Sequence, residues 1–128
     1  MSLHNFEELE VWKRSSRLAV SILELADSIK LFALRDQMAR ACISIPSNIA
    51  EGAERESNRE FRRFLAIAKG SAGELRTQLY LAQRAGYLEH GIVAPLLSEC
   101  REVSSMLEGL RKSIGGGGVL GLMFGWLF

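Results

Sequence analysis

Seven basic side chains occupy residues 55–84, a stretch that holds three acidic residues. Five of them recur at helical spacings and would form one ridge, with two more beside it. The ridge is Arg55, Arg59, Arg62, Lys69 and Arg76, flanked by Arg63 and Arg84. Ala66 and Gly73 fill its gaps with little bulk, so phosphate groups could approach closely. Such contacts give salt-dependent affinity for nucleic acid without reading its base sequence.

Two other interpretations of this ridge stay open. Its cations could form a solvated face, with local carboxylate partners in Glu56, Glu60 and Glu74. Alternatively, Ala66 and the nearby glycines could let another helix pack closely, which would make the ridge an oligomer contact. The chain's net charge of +1 does not decide between them, because an acidic excess in residues 1–54 offsets the basic segment.

Residue types that often act in catalysis are present, but their spacing does not match any catalytic motif. His4 and His90 lie far apart, and neither has a cysteine or carboxylate at metal-ligand spacing. The serines lack a nucleophile-elbow context, and the glycines at 115–118 lack the Lys-Ser/Thr of a phosphate loop. The sequence therefore predicts a protein that is not an enzyme and has no cofactor, metal or small-molecule substrate.

The elements that must position the basic ridge are visible as apolar stripes with a period of about 3.6 residues. The second stripe runs from residue 34 to 49, and the first consists of Leu9, Trp12, Ala19, Leu23 and Ala26, widened by Leu18, Ile22, Leu25 and Ile29. The third begins at a capping box, Ser57 with Glu60, and ends at Gly86 before an apolar contact. The fourth covers residues 93–114. The predicted fold is all-α, an antiparallel up-down four-helix bundle.

The second stripe contains a proline, in the motif "SIPSNIAEG" at residues 44–52. Pro46 removes a backbone amide and clashes with the preceding turn, at a cost of about 3 kcal/mol. Because the stripe keeps its phase across Pro46, we predict one helix kinked at the proline and ending at Gly52. Asn48 and Glu51 are the residues of this motif that could act as buried polar partners between helices, with Arg40 or an arginine of the third helix as the partner of Glu51.

Length and composition predict one bundle domain over residues 1–114, followed by a glycine linker and an apolar tail over 115–128. The tail "VLGLMFGWLF" is too short to span a membrane, and it is an expression remnant, a packing element or a membrane-surface contact. Cys42 and Cys100 lie on apolar stripes and are expected to be reduced thiols. The chain start has no leader pattern, so a cytoplasmic location is expected.

Five blocks occur in an order that resembles one protein family. They are "FEELEVWK" at 6–13, "LRDQMARA" at 34–41, "SIPSNIAEG" at 44–52, "EFRRFLAIAKGSAGELRTQL" at 60–79 and "AGYL" at 85–88. They resemble the 23S rRNA intervening-sequence protein family, also called the four-helix bundle protein family, to which the accessory protein of diversity-generating retroelements is related. The joint "SIKLFAL" departs from that pattern. The resemblance implies a cytoplasmic all-α protein, commonly a homopentamer, without enzymatic activity and with a suspected nucleic-acid role.

Residues and resemblance together predict an oligomeric module that binds RNA or DNA, or a partner bound to them, through basic helix faces. The alternative is a protein-interaction scaffold without nucleic-acid affinity. Ile43, Ile67, Tyr80 and Leu81 fall outside the main stripes, so a monomer would expose an apolar patch. We therefore expect a homo-oligomer, and the resemblance implies a pentamer.

Overall fold

The computed structural model describes residues 5–115, where four long helices follow a short helical turn at Phe6–Glu8. The helices are α1 (Glu10–Ala26), α2 (Phe32–Glu54), α3 (Asn58–Arg84) and α4 (His90–Ser113), and none of the described residues forms a strand. Contacts join α1 to α2, α2 to α3, α3 to α4, and α4 back to α1. The helices therefore surround one core in chain order, and their short joins make neighbours antiparallel. The predicted all-α up-down four-helix bundle is confirmed.

Large aliphatic side chains fill the space between the helices. The fully buried ones include Ile22, Met38, Ile45, Ile49, Leu65, Leu75, Leu79, Val93, Val103 and Leu107. The predicted stripes of α2, α3 and α4 supply most of this set. The stripe of α1 is largely as predicted, because Leu18, Ala19, Ile22 and Ala26 are buried, but Val11 and Ser15 are buried as well whereas Leu23 is 39% exposed. Placing Leu23 in the core was wrong, since the buried side of α1 is the one that carries Val11, Ser15 and Leu18.

Local capping sets both ends of α3. The Ser57 hydroxyl accepts a hydrogen bond from the Glu60 amide at 3.0 Å, as predicted. The Glu60 carboxylate instead accepts from Arg63, so the reciprocal half of the capping box does not form. At the other end Gly86 has a φ of +84°, and the Tyr87 amide donates to the Ala82 carbonyl at 2.8 Å. This left-handed glycine is the predicted cap, and it ends the helix.

The second helix runs from Phe32 to Glu54 with Pro46 in its interior. One continuous helix through the proline is confirmed, while the kink at Pro46 stays a prediction. A helix end at Gly52 was wrong, because α2 continues past it and Gly52 is buried against α3. A Cβ at this position would lie 2.7 Å from the Cβ of Phe64. Gly52 is therefore required by the close approach of two helices and not by a turn.

Both cysteines are free and buried. The Cys42 thiol donates to the Ala39 carbonyl, with sulfur and oxygen 3.3 Å apart. Desolvation raises the pKa of Cys42 to about 11 and that of Cys100 to about 12. Both groups therefore stay protonated at neutral pH and fill space in the core.

The predicted linker and apolar tail, residues 115–128, lie outside the described residues apart from Gly115. The domain boundary at residue 114 accordingly stays a prediction. Within residues 5–115, no helix is long and apolar enough to cross a membrane. The same residues contain no cluster of three or more histidine, cysteine or carboxylate side chains arranged to hold a metal ion.

Candidate nucleic-acid interface

Three cations of the predicted ridge share one face of α3. Arg62, Lys69 and Arg76 follow one another at intervals of seven residues, which is about two helical turns. The ammonium of Lys69 lies 3.3 Å from a carboxylate oxygen of Glu108 on α4. This face therefore borders α4. Arg59 lies about one turn before Arg62, is exposed, and makes no ion pair with any described residue.

Helix α4 adds its own cations to this border. Arg111 donates to Glu108 at 2.7 Å, and Lys112 lies 3.8 Å from the same carboxylate. Hydrogen bonds from Arg111 and then from Lys69 lower the pKa of Glu108 to about 2. Glu108 is thus ionised at neutral pH and is surrounded by three cations.

Arg76 is the most enclosed cation of the face. Its side chain is half-buried, and its Nε atom is buried without a hydrogen-bond partner among the described residues. The charges of Arg76 and of Arg101, on α4, both act to lower the pKa of the Cys100 thiol, although burial raises it by more. Arg101 also donates to the Tyr80 hydroxyl, and Tyr80 lies about one turn after Arg76 on α3, so both arginines lie near the α3–α4 contact. We call the surface formed by Arg62, Lys69, Arg76, Arg101, Glu108, Arg111 and Lys112 the α3–α4 groove.

The remaining ridge residues form a separate corner between α2 and α3. Arg55 is the C-cap of α2 and is not part of α3; it lies 2.9 Å from Glu51. Arg63 pairs with Glu60 at 3.0 Å. Both guanidinium groups lie over the Phe64 ring, at 5.0 and 4.6 Å from its centroid. Because each of these arginines has a carboxylate partner, the corner fits the interpretation as a locally paired, solvated face.

Asn48 of the proline motif contributes to a polar cluster between α2 and α3. Its amide donates to both the carbonyl and the hydroxyl of Ser44, each at 2.8 Å. The Ser44 hydroxyl in turn lies 2.8 Å from that of Ser71, which is buried on α3. The Ser44 hydroxyl therefore links α2 to α3, and the half-buried Asn48 supports Ser44 from within α2.

Glu51 does not have the buried role that the sequence allowed. Its side chain is 53% exposed and pairs with Arg55 on the same helix. Arg40 pairs with Asp36 instead. The hypothesis of a buried Glu51 partnered by Arg40 is wrong, because Glu51 lies on the solvent side of α2.

Replacing Asn48 by alanine removes both hydrogen bonds to Ser44, and we expect the free energy of unfolding to fall by about 1–2 kcal/mol. Glu51→Ala is the matched control, because it breaks only an exposed ion pair within one helix and should cost less than about 0.5 kcal/mol. Urea unfolding followed by circular dichroism measures both changes. If the two variants unfold at the same urea concentration as the parent, the cluster does not stabilise the α2–α3 contact.

Residues 7–109 match the family model described as 23S rRNA-intervening sequence protein. The chain belongs to this family. A crystal structure from Bacteroides thetaiotaomicron VPI-5482, of a protein with unknown function from the S23 ribosomal protein family, superposes with a TM-score of 0.77. The two chains are 27% identical over 80% of this chain and 98% of the other. No curated protein matches the sequence. The relation to accessory proteins of diversity-generating retroelements stays a prediction.

Sequence reasoning missed the contribution of α4 to the basic surface of this intervening-sequence protein. Arg101, Arg111 and Lys112 lie in the segment 85–128, which has one more acidic than basic residue and looked unremarkable. The sequence contained a weak signal of a charged face on α4, because Arg101 and Glu108 are seven residues apart and therefore lie on the same side of that helix. Only the packing of α4 beside α3 brings Arg111 and Lys112 to the carboxylate that pairs with Lys69, and Arg101 to Tyr80.

Proposed function

We propose that this protein is a non-enzymatic, oligomeric four-helix bundle that binds nucleic acid, foremost structured RNA, through the α3–α4 groove. The observation that carries the proposal is the charge of this groove, which holds six cations from two helices and one carboxylate, Glu108, that pairs with three of them. A surface of this kind attracts phosphate groups and releases their counterions. Membership of a family named after an element of 23S rRNA supports RNA as the partner and a cytoplasmic location.

A salt titration tests the proposal directly. With about six phosphate contacts, affinity for RNA should fall on the order of 1,000-fold between 50 and 200 mM salt. Fluorescence anisotropy of a labelled RNA hairpin, at several salt concentrations, measures the slope. No binding at 50 mM salt, or binding that is indifferent to salt, would contradict the phosphate-binding groove and favour the alternative, a protein-interaction scaffold.

The oligomer is proposed from exposed apolar side chains, with a second copy of the chain as the partner. Ile43, Ile67 and Leu81 are 47%, 40% and 53% exposed, in line with their position outside the main stripes. Tyr80 is half-buried and contacts Arg101, so it does not belong to that surface. Ile67 and Leu81 are fourteen residues apart, which places them on one side of α3. Packing against a second copy would remove this apolar area from water.

Static light scattering at micromolar concentration should therefore give a multiple of the 14.2 kDa chain mass, and five times that mass if the pentamer implied by the resemblance is correct. The double change Ile67→Glu and Leu81→Glu should lower the mass, because it places charges on the proposed contact, while the helical circular dichroism signal stays that of the parent. A parent protein of 14.2 kDa under these conditions would refute the oligomer.

A further inference from the structure

A pocket of about 370 Å³ lies between α3 and α4, near the turn that joins them. Its walls include Tyr80, Gln83 and Arg84 of α3 and His90 and Arg101 of α4, above the buried side chain of Leu97. This volume is at the lower end of the range of about 300–1,000 Å³ that is typical of small-ligand sites. The pocket lies at one end of the α3–α4 groove, and Arg101 belongs to both.

The two arginines of the pocket are held by the same tyrosine. Arg101 donates to the Tyr80 hydroxyl at 2.6 Å, and the guanidinium of Arg84 lies 5.8 Å from the centroid of the Tyr80 ring. Gln83 and His90 contact each other across the pocket at 3.3 Å. Tyr80 thus orients both guanidinium groups without cancelling their charge.

The charge of the pocket is not balanced by protein groups. Its lining residues include no aspartate or glutamate, and within residues 5–115 neither Arg84 nor Arg101 makes an ion pair with a carboxylate. The Tyr80 hydroxyl accepts from Arg101 and keeps its own hydrogen to donate. The pocket therefore offers two full positive charges and several N–H and O–H donors to an anion with several oxygens.

A phosphomonoester matches this set better than an internal phosphodiester does. A phosphomonoester carries a charge of about −1.5 to −2 at neutral pH and has three strong acceptor oxygens. An internal phosphodiester carries one negative charge, which a single cation of the α3–α4 groove can neutralise. Arginine is the side chain that binds phosphate oxygens in pairs, and two arginines can neutralise a dianion.

We propose that this pocket binds a phosphomonoester, the terminal phosphate of a nucleic-acid strand whose internal phosphates lie along the α3–α4 groove. The claim that the phosphate belongs to a nucleic-acid strand rests on the proposed function. The claim that the pocket prefers a phosphomonoester rests on Arg84, Arg101 and Tyr80 alone. A free nucleoside monophosphate presents the same chemical group and is the other possible source.

Three RNA strands of one sequence test the proposal: one with a 5′-phosphate, one with a 3′-phosphate and one with hydroxyl groups at both ends. We expect one phosphorylated strand to bind at least about tenfold more tightly than the hydroxyl strand, since one arginine–phosphate pair corresponds to this order of affinity. Arg84→Gln and Arg101→Gln should each abolish the difference. Arg59→Gln removes an equal charge from an exposed position on α3 outside the pocket and should preserve it. Circular dichroism checks that each variant is folded.

Titration with adenosine monophosphate, adenosine and inorganic phosphate separates the two sources. Chemical shift changes of the Gln83 side-chain amide, produced by adenosine monophosphate but not by adenosine, would support phosphomonoester binding in the pocket. If no RNA binds in the same experiments, only the proposed function is contradicted. RNA binding without any end preference, together with no response to the monophosphate or to inorganic phosphate, would overturn the pocket while leaving the groove in place.

Discussion

Replacing Arg62, Lys69, Arg111 and Lys112 by glutamine should lower affinity for structured RNA by a factor on the order of 100 to 1,000 at 100 mM salt. Each cation lost removes a phosphate contact and the counterion release that accompanies it. The slope of log affinity against log salt should become shallower by about 3.6 for the four changes together. The effect should be similar for unrelated RNA sequences, because phosphate contacts carry no base information.

A matched variant removes four charges from outside the α3–α4 groove. Lys13, Arg17, Lys30 and Arg40 lie on or between α1 and α2, and their replacement by glutamine changes the net charge by the same amount. We expect RNA affinity to stay within about threefold of the parent, since exposed charges beyond a Debye length of about 10 Å are largely screened. Equal losses in the two variants would show that net charge, and not the α3–α4 groove, governs binding.

Among the helical glycines of the described residues, Gly52 is the one whose replacement by alanine should lower stability most. The new Cβ would lie 2.7 Å from Phe64 Cβ, 3.1 Å from Phe61 Cδ1 and 3.3 Å from the Phe61 carbonyl oxygen. Phe64 Cβ is attached to the backbone of α3 and cannot rotate away, so α2 and α3 must separate. We expect the free energy of unfolding to fall by about 1–3 kcal/mol, even though alanine favours the helix by up to about 1 kcal/mol.

Gly109→Ala is the control for this change. Gly109 is exposed on α4, and a Cβ there meets no other atom within 4 Å. Only the helix propensity changes, so we expect stability to rise by about 0.5–1 kcal/mol. Thermal melts at one fixed chain concentration compare the two variants, because assembly makes the melting temperature depend on concentration. If Gly52→Ala also raises the melting temperature, α2 and α3 do not approach each other as closely as the structure places them.

The four helices could be predicted from the sequence because their causes are local. The Ser57 hydroxyl and the positive φ of Gly86 terminate α3 through neighbours within a few residues. The unbroken apolar phase across Pro46 correctly indicated one helix, since two helices would need a loop or a shift of phase. Four such segments with short joins leave few arrangements other than a bundle.

The exposure of Leu23 and the role of Gly52 could not be predicted in this way. Leu23 fits the period of an apolar stripe, yet it is partly exposed, because the positions of α2 and α4 decide which face of α1 is covered. Gly52 precedes the end of α2 by two residues, so its position resembles that of a helix cap. A glycine is required at this position because phenylalanines on another helix lie against it, and no local sequence pattern indicates that contact.

For the candidate site, the shared helix face of Arg62, Lys69 and Arg76 follows from their spacing, because a seven-residue interval is about two turns of any α-helix. The remaining features depend on how the helices pack. It pairs Arg55 and Arg63 with carboxylates at a corner, and it brings Lys69 to 3.3 Å from Glu108, a residue 39 positions later in the chain. Helical periodicity is set by backbone geometry within one segment, whereas a surface charge depends on which segments become neighbours. The groove exists because α3 and α4 pack side by side.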